Sequence, residues 1–592
     1  MNSSLRMNSS LCRDFWHLFK GYWGSEKKKS ACGLLAVVIA LNFAMVYLLV
    51  LLNEWYNEFY NSLQAYDYDQ FWPLIGKFAA LAFLHIGIAV YAIYLRQLLE
   101  LRWRTWMTER YLKDWLGGQA HYRLQVLGSD MDNPDQRIQE DIDLFVSLTL
   151  QLLLGVLKQL TTLVAFAVVL WNLSGVLDVP IGDSTFHIYG YMLWFSLLYS
   201  AVGTALAHIV GRKLISLNFE QQRFEADFRF AMARMRENSE SIAFYRGEDA
   251  ENVGFLNRFA LVIKNFRELM RQTKFLNFYA NSYMQLAIIA PIILAAPRYF
   301  SGAMQLGGLM QTISAFGRVQ DALSYFVEVY DTIARLIAVI HRLAGFTAHL
   351  EEVRALAPAV EQVEGGDAPQ GFSFPSAVAV DTSRAMILDH ISVSLPDGRE
   401  LLHDCSLLLP AGKRLLVTGP SGCGKSTLLR TLAGIWPFGG GRLIRPEKSR
   451  VLFLPQRPYL PLGTLRRAIA YPLADPESLG DARVKEVLAL VDLPELADRL
   501  DTTDDWSRIL SLGEQQRIAF ARVVLLRPDW VFLDEATSAL DEARESRLYD
   551  LLKEELPDAG IVSVAHRTSL FARHDAELHL GDVKATLRPI EH

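Results

Sequence analysis

The chain has 592 residues, 51% of them apolar and 21% charged, with a net charge of −6; it exceeds one ordinary domain and offers no basic surplus for a nucleic-acid partner. Its four cysteines, Cys12, Cys32, Cys405 and Cys423, show no CxxC spacing. Neither a disulfide framework nor a cysteine metal site is implied.

Residues 1–30 form a polar lead carrying Arg6, Arg13, Lys20 and Lys27 to Lys29. The apolar run that follows is too long for a secretory signal and has no small-residue cleavage site after it, so it reads as a retained membrane helix. Near-uncharged apolar stretches then recur: Ala31 to Leu52, Phe78 to Leu95, Leu144 to Trp171, Phe186 to Val210 and Phe275 to Ala296, with a weaker sixth from Gly302 to Phe326. A bilayer core takes roughly 20 helical residues, which the first five meet or nearly meet. Residues 31–345 are therefore expected to be an all-α membrane domain of six helices.

Lysine and arginine crowd the N-terminal lead, the second-to-third connection (Arg96 to Arg137) and the fourth-to-fifth connection (Arg212 to Lys274). Asn53 to Gln70 and Asn172 to Thr185 contain neither. The positive-inside rule places both termini in the cytoplasm. The sixth stretch carries Arg318 and Asp321, three apart and able to pair on a helix, followed by Glu328 and Asp331. An ionisable group facing lipid costs at least about 2.5 kcal/mol near mid-bilayer, so Arg318 is expected to line a polar cavity suited to hydrophilic or anionic solutes.

Residues 346–386, rich in proline and glycine from Ala357 to Pro375, are expected to be a linker. Beyond it, 387–592 read as an α/β nucleotide-binding domain. Gly419-Pro420-Ser421-Gly422-Cys423-Gly424-Lys425-Ser426-Thr427 follows the apolar segment Arg414 to Thr418 and matches the phosphate-cradling loop in full. Its small residues let backbone N–H groups face phosphates, Lys425 supplies a point charge, and Ser426 offers a hydroxyl to Mg²⁺. Trp530 to Leu533 is an apolar strand ending in Asp534 and Glu535. Asp534, at the carboxyl end of a buried strand, is placed to hold Mg²⁺ through water, and Glu535 to orient or deprotonate the attacking water.

Pro455-Gln456, then Leu510-Ser511-Leu512-Gly513-Glu514-Gln515-Gln516-Arg517, then Asp534-Glu535, then Ser563-Val564-Ala565-His566 come in an order that resembles the nucleotide-binding domain of ABC transporters. The resemblance implies that Gln456 is the Q-loop residue and a metal contact, Ser511 and Gly513 belong to the signature, Ser538 to Asp541 form the D-loop, Glu535 is the catalytic base, and His566 is the switch histidine. Six spans with long intracellular connections resemble the type IV, exporter-like fold. The segments Asp132 to Ile138, Glu237 to Glu248 and Pro455 to Arg466 resemble one branch: subfamily D acyl-CoA transporters, YddA-like proteins and SbmA/BacA-type peptide permeases.

There is one nucleotide-binding set and no repeat of the span block, which implies a half-transporter working as a homodimer with ATP and Mg²⁺. Ser511 and Gly513 of one chain would then complete the site of the other. The branch implies ATP-driven transport in a bacterial inner membrane, with uptake of hydrophilic solutes or peptides as the leading reading; export, acyl-CoA or lipid-type transport, and an ATP-gated channel or regulatory protein stay open. Two departures stand out: Leu512 replaces the usual signature glycine, and Leu395 stands where many members stack an aromatic on adenine.

Overall fold

The structure is a computed structural model, and it describes residues 2–127, 133–181, 184–355, 361–364, 385–565, 567–581 and 583–590. Contacts divide the chain into two units, Met1–Leu112 with Asp132–Thr347, and Lys113–Met131 with Ala348–His592.

The first unit is helical. Its elements are α1 (Asn2–Trp23), α2 (Lys28–Gln64), α3 (Tyr68–Leu116, whose end enters the second unit), the short α5 (Pro134–Gln136), α6 (Ile142–Ser174), α7 (Tyr191–Glu237), α8 (Ser239–Tyr245), α9 (Glu248–Phe300), α10 (Leu306–Glu328) and most of α11 (Tyr330–Ala355). Between α6 and α7 lies an antiparallel hairpin, β1 (Val176–Ile181) with β2 (Ser184–Tyr189). The expected fourth span therefore starts late: Phe186 lies in β2, and helix begins at Tyr191 after Gly190.

The polar lead folds as α1. Phe19 and Trp23 meet Trp103 edge-on at 5.4 and 5.6 Å, and Tyr22 stacks on it at 5.7 Å. Trp103 is fully buried, and each such ring pair adds about 0.5–1.5 kcal/mol beyond area burial.

Among the described residues, six helical stretches are long and apolar enough to cross a membrane: Lys28–Gln64, Tyr68–Val126, Pro134–Ser174, Tyr191–Glu237, Glu248–Phe300 and Thr332–Ala355. The last differs from the expected Gly302 to Phe326, which corresponds to α10. Helix α10 packs against α2, α6, α7 and α9, so protein covers much of its surface and its side chains need not be uniformly apolar. Amides bind it to α2: Asn53 Nδ2 donates to the Gln311 carbonyl at 3.0 Å, Asn57 Nδ2 to Gln311 Oε1 at 2.9 Å, and the Gly307 N–H to Asn61 Oδ1 at 2.8 Å. Such bonds hold helices together where apolar contact alone gains nothing over lipid.

A charge cluster fastens the start of α6 to α11. Asp141, 1% exposed, accepts from Arg137 at 2.8 Å and from both Nε and Nη2 of Arg342 at 2.5–3.2 Å. Arg318 and Asp321, able to pair by their spacing, form no ion pair within 4 Å.

The second unit is α/β. A six-stranded sheet has the order β14-β13-β6-β12-β11-β8, with β6 (Arg414–Thr418), β8 (Val451–Leu454), β11 (Trp530–Asp534), β12 (Gly560–Val564), β13 (Ala576–Gly581) and β14 (Lys584–Pro589). All its pairings are parallel except β13 with β14. The side sheet has the order β3-β7-β4-β5, from Glu361–Glu364, Gly439–Arg445, Met386–Ser394 and Glu400–Leu409. The segment expected as linker thus contains the end of α11 and β3; 356–360 and 365–384 lie outside the described residues. Near-continuous apolar strands such as Trp530 to Leu533 are buried on both faces, as a parallel sheet covered by helices requires.

Helices α12 (Lys425–Leu432), α13 (Leu465–Ala470), α14 (Asp481–Leu490), α15 (Trp506–Ile509), α16 (Leu512–Leu526) and α17 (Glu542–Glu555), with the small ladder β9 (Gly463–Thr464) and β10 (Thr503–Asp504), complete the unit. It also contains α4 (Ala120–Val126), which in sequence belongs to the connection between α3 and α6. Arg123 Nη2 donates to the Gly434 carbonyl at 3.3 Å, and Val126 packs on the core under β4 and β5.

Candidate functional site

The site lies where parallel strands end. β6 delivers the phosphate loop and α12 begins at Lys425, so the loop bridges a strand end and a helix start, the arrangement that favours bound anions. Gly419 has φ +140, and a Cβ there would stand 2.3 Å from the Leu580 carbonyl oxygen, so only glycine fits. Gly424, with φ +102, caps α12. Lys425 is buried and its ammonium donates to the carbonyls of Gly419 and Pro420, both at 2.9 Å, with the loop curled around it. Pro420, Ser421, Gly422, Cys423 and Thr427 occupy the same loop and helix start; the Cys423 N–H turns back to the Pro420 carbonyl at 3.4 Å.

Strand β12 lies between β6 and β11, and the site spans its carboxyl end. Ser426 Oγ donates to Asp534 Oδ1 at 2.7 Å. Burial raises the Asp534 carboxyl above the usual range, and the Ser426 hydrogen bond and the Arg430 charge draw it back. These two oxygens fit a small hard cation that takes its other ligands from phosphate and water. No group of three or more His, Cys, Asp or Glu able to hold a metal occurs among the described residues.

Glu535 follows β11 with φ +49, a left-handed backbone uncommon outside glycine and asparagine. The turn aims its carboxylate at Gln456, whose Nε2 donates to Glu535 Oε2 at 2.9 Å. Gln456 follows the end of β8, the neighbour of β11, which explains the meeting. Gln456 therefore faces Glu535; of the three expected metal residues, Ser426, Gln456 and Asp534, Ser426 and Asp534 are hydrogen-bonded to each other. His566 lies outside the described residues.

Ser511 caps α16. Its Oγ and N–H both donate to Glu514 Oε2, at 2.6 and 2.8 Å, holding the Glu514 carboxyl below its ordinary range. Gly513 faces the turn after β11, where a Cβ would meet the Ala539 carbonyl at 3.3 Å. Leu512 is 37% exposed beside it. Among the described residues no hydrogen bond joins Ser511 or Gly513 to the phosphate loop of the same chain.

Residue reasoning missed Gln516. Fully buried, it donates to the Gln456 carbonyl at 2.9 Å and to Ser538 Oγ at 3.2 Å, and accepts from the Ala539 N–H at 3.1 Å. It ties α16 to Gln456 and to the turn after Glu535. Arg567 was also missed; it donates to the Leu540 carbonyl at 2.8 Å and to buried Glu545 at 3.3 Å. The signal for Gln516 was a second glutamine in an otherwise apolar helix face.

A phosphate loop, an acid at a buried strand end and a following glutamate define a P-loop nucleoside triphosphatase joined to a bundle of membrane-length helices. Family models agree: residues 18–300 match ABC transporter transmembrane region 2, and residues 402–538 match ABC transporter. The chain belongs to the ABC transporters, as a half-transporter of the subfamily D-like branch with fused membrane and ATPase domains. It is 35% identical to the inner membrane ABC transporter ATP-binding protein YddA of Escherichia coli, over 96% of this chain and 97% of that one. It is 30% identical to the human lysosomal cobalamin transporter ABCD4, over 94% and 92%. In fold it resembles a bacterial Atm1-family ABC exporter, with a TM-score of 0.70 at 17% identity over 95% of each chain. It is a multi-pass membrane protein whose ATPase drives transport.

Proposed function

We propose that two copies of the chain form a homodimer in a bacterial inner membrane, both termini cytoplasmic, and take up a hydrophilic solute or peptide. Each ATP site pairs Lys425, Ser426, Gln456, Asp534, Glu535 and His566 of one chain with Ser511 and Gly513 of the other. The absence, among the described residues, of a bond from Ser511 to its own phosphate loop supports that pairing.

Within a site, the loop amides and Lys425 hold the phosphates, and Glu535, oriented by Gln456, takes a proton from the attacking water. Ser426 and Asp534, with Gln456, would hold Mg²⁺, which would supply positive charge against the phosphates. Nucleotide closes the two ATPase domains and hydrolysis releases them, which alternates access to the solute.

The observation that carries the hydrophilic reading is α10. This helix, packed against α2, α6, α7 and α9, carries Gln311, Arg318, Gln320 and Asp321, of which the two charged groups are exposed. Neutral lipid has no use for such groups. One relative, human ABCD4, is a lysosomal cobalamin transporter, and cobalamin is a hydrophilic solute. The test is purified protein in liposomes, assayed for stimulated ATPase and for uptake across peptides, cobalamin-like solutes and acyl-CoAs. ATP-dependent uptake of a hydrophilic member supports the reading. Stimulation by acyl-CoA alone contradicts it, and flux exceeding ATP turnover places the protein with gated channels.

A further inference from the structure

A cavity of about 450 Å³ lies among α7, α9 and α10 in the membrane unit. Its wall is mostly apolar and tyrosine-rich, with Tyr279 and Tyr283 from α9 and Gln320, Asp321 and Ser324 from α10. The tyrosines are held by backbone. Tyr279 Oη donates to the Gly203 carbonyl at 2.7 Å, and Tyr199 Oη to the Tyr283 carbonyl at 2.6 Å, with the Tyr199 and Tyr283 rings stacked at 4.6 Å. Gly203 lets the helices approach this closely, since a Cβ there would lie 2.3 Å from the Tyr283 ring.

Asp321 is the acid of this cavity. Among the described residues it makes no hydrogen bond and no ion pair within 4 Å. Arg318, three positions earlier, does not close on it. His85 and Lys158 line a different cavity, among α2, α3, α6 and α10. Helix α10 thus borders both cavities, through Tyr325 in this one and Asp321 in the first.

A carboxylate without a counter-ion in a mostly apolar wall favours a cation beside it, and tyrosine faces attract organic ammonium groups better than they attract hydrated metal ions. We propose that the Asp321 cavity binds a positively charged, amine-bearing part of the transported solute, with Asp321 as the counter-charge and Tyr279 and Tyr283 against the apolar substituents. The proposal rests on the transporter reading above and narrows its solute class.

The test places a cysteine in the wall, Thr204→Cys or Met284→Cys, in full-length protein in nanodiscs of zwitterionic lipid. Labelling by the cationic ethyltrimethylammonium and anionic ethylsulfonate methanethiosulfonates is read at that position by peptide mass, which leaves the native cysteines in place. The cationic reagent should react about tenfold faster relative to the anionic one than it does with free cysteine. Adding Asp321→Asn should abolish the preference, and Asp321→Glu should keep it.

Tetraethylammonium should slow the cationic labelling where potassium at equal ionic strength does not. No labelling, a preference unchanged by Asp321→Asn, or equal effects of the two salts overturns the assignment. ATPase measured on the same samples separates the readings: lost ATPase with an intact preference contradicts the transporter reading, and the reverse contradicts only the site.

Discussion

At the scale of single residues, the site depends on two contacts that cross strand ends: Ser426 to Asp534, and Gln456 to Glu535. Glu535→Gln keeps shape and hydrogen bonding but removes the base. Turnover measured as phosphate release should fall by about a hundredfold or more, while labelled ATP still binds. Wild-type turnover in the purified variant contradicts the role. The phosphate loop and the Asp534-Glu535 pair were legible because their chemistry needs fixed residue types at fixed spacing. Gln516 was not, because its partners, the Gln456 carbonyl and Ala539 N–H, are distant in sequence. Buried Asp141 was equally silent. It holds Arg137 and Arg342, and Asp141→Ala should leave Arg342 without its carboxylate partner and cost about 3–5 kcal/mol, seen as a lowered melting temperature. An unchanged melting temperature refutes a structural role for the cluster.

At the scale of elements, α12 joins the phosphate loop to Gly434, where Arg123 of α4 docks. Eight helical residues span about 12 Å, a short rigid lever. Arg123→Ala should leave ATPase within about twofold and depress ATP-dependent uptake severalfold; equal loss of both contradicts a coupling role. Behind β12, His574 is buried, bonded to the Leu570 carbonyl at 2.8 Å and to Ser563 Oγ at 2.9 Å, and burial pushes it down to about 4 from 6.5. The unfolded chain binds this proton more readily, so the stability present above about pH 6.5 is lost as pH falls toward 4, by about 3 kcal/mol at most. Melting followed from pH 7.5 to 4.5 should show a steeper decline in the wild type than in His574→Gln, and parallel curves would exclude it.

Helix lengths were harder to read than helix positions. The apolar signal ends at the membrane, whereas α7 and α9 run on to Glu237 and back from Glu248 on charged sequence. The sixth span shows the opposite failure. α10 is surrounded by four helices, so burial in protein relaxes the apolarity by which a lipid-facing span is recognised. The start at Tyr191 was missed because the β-hairpin before it is itself apolar and uncharged at its ends.

At the scale of the whole molecule, the proposed pairing in trans needs two copies, with Ser511 and Gly513, which make no hydrogen bond to their own phosphate loop among the described residues, acting on the loop of the partner. The measurement that tests this most directly is nucleotide occlusion in mixed dimers, one chain carrying Lys425→Ala and the other Ser511→Ala, with distinct affinity tags to isolate them. If Ser511 completes the partner's site, both substitutions fall on the same composite site, and the other is intact. One nucleotide should then be retained per mixed dimer, while dimers carrying either substitution twice retain none. Loss at both sites of the mixed dimer, to the level of the doubly substituted ones, would contradict pairing in trans.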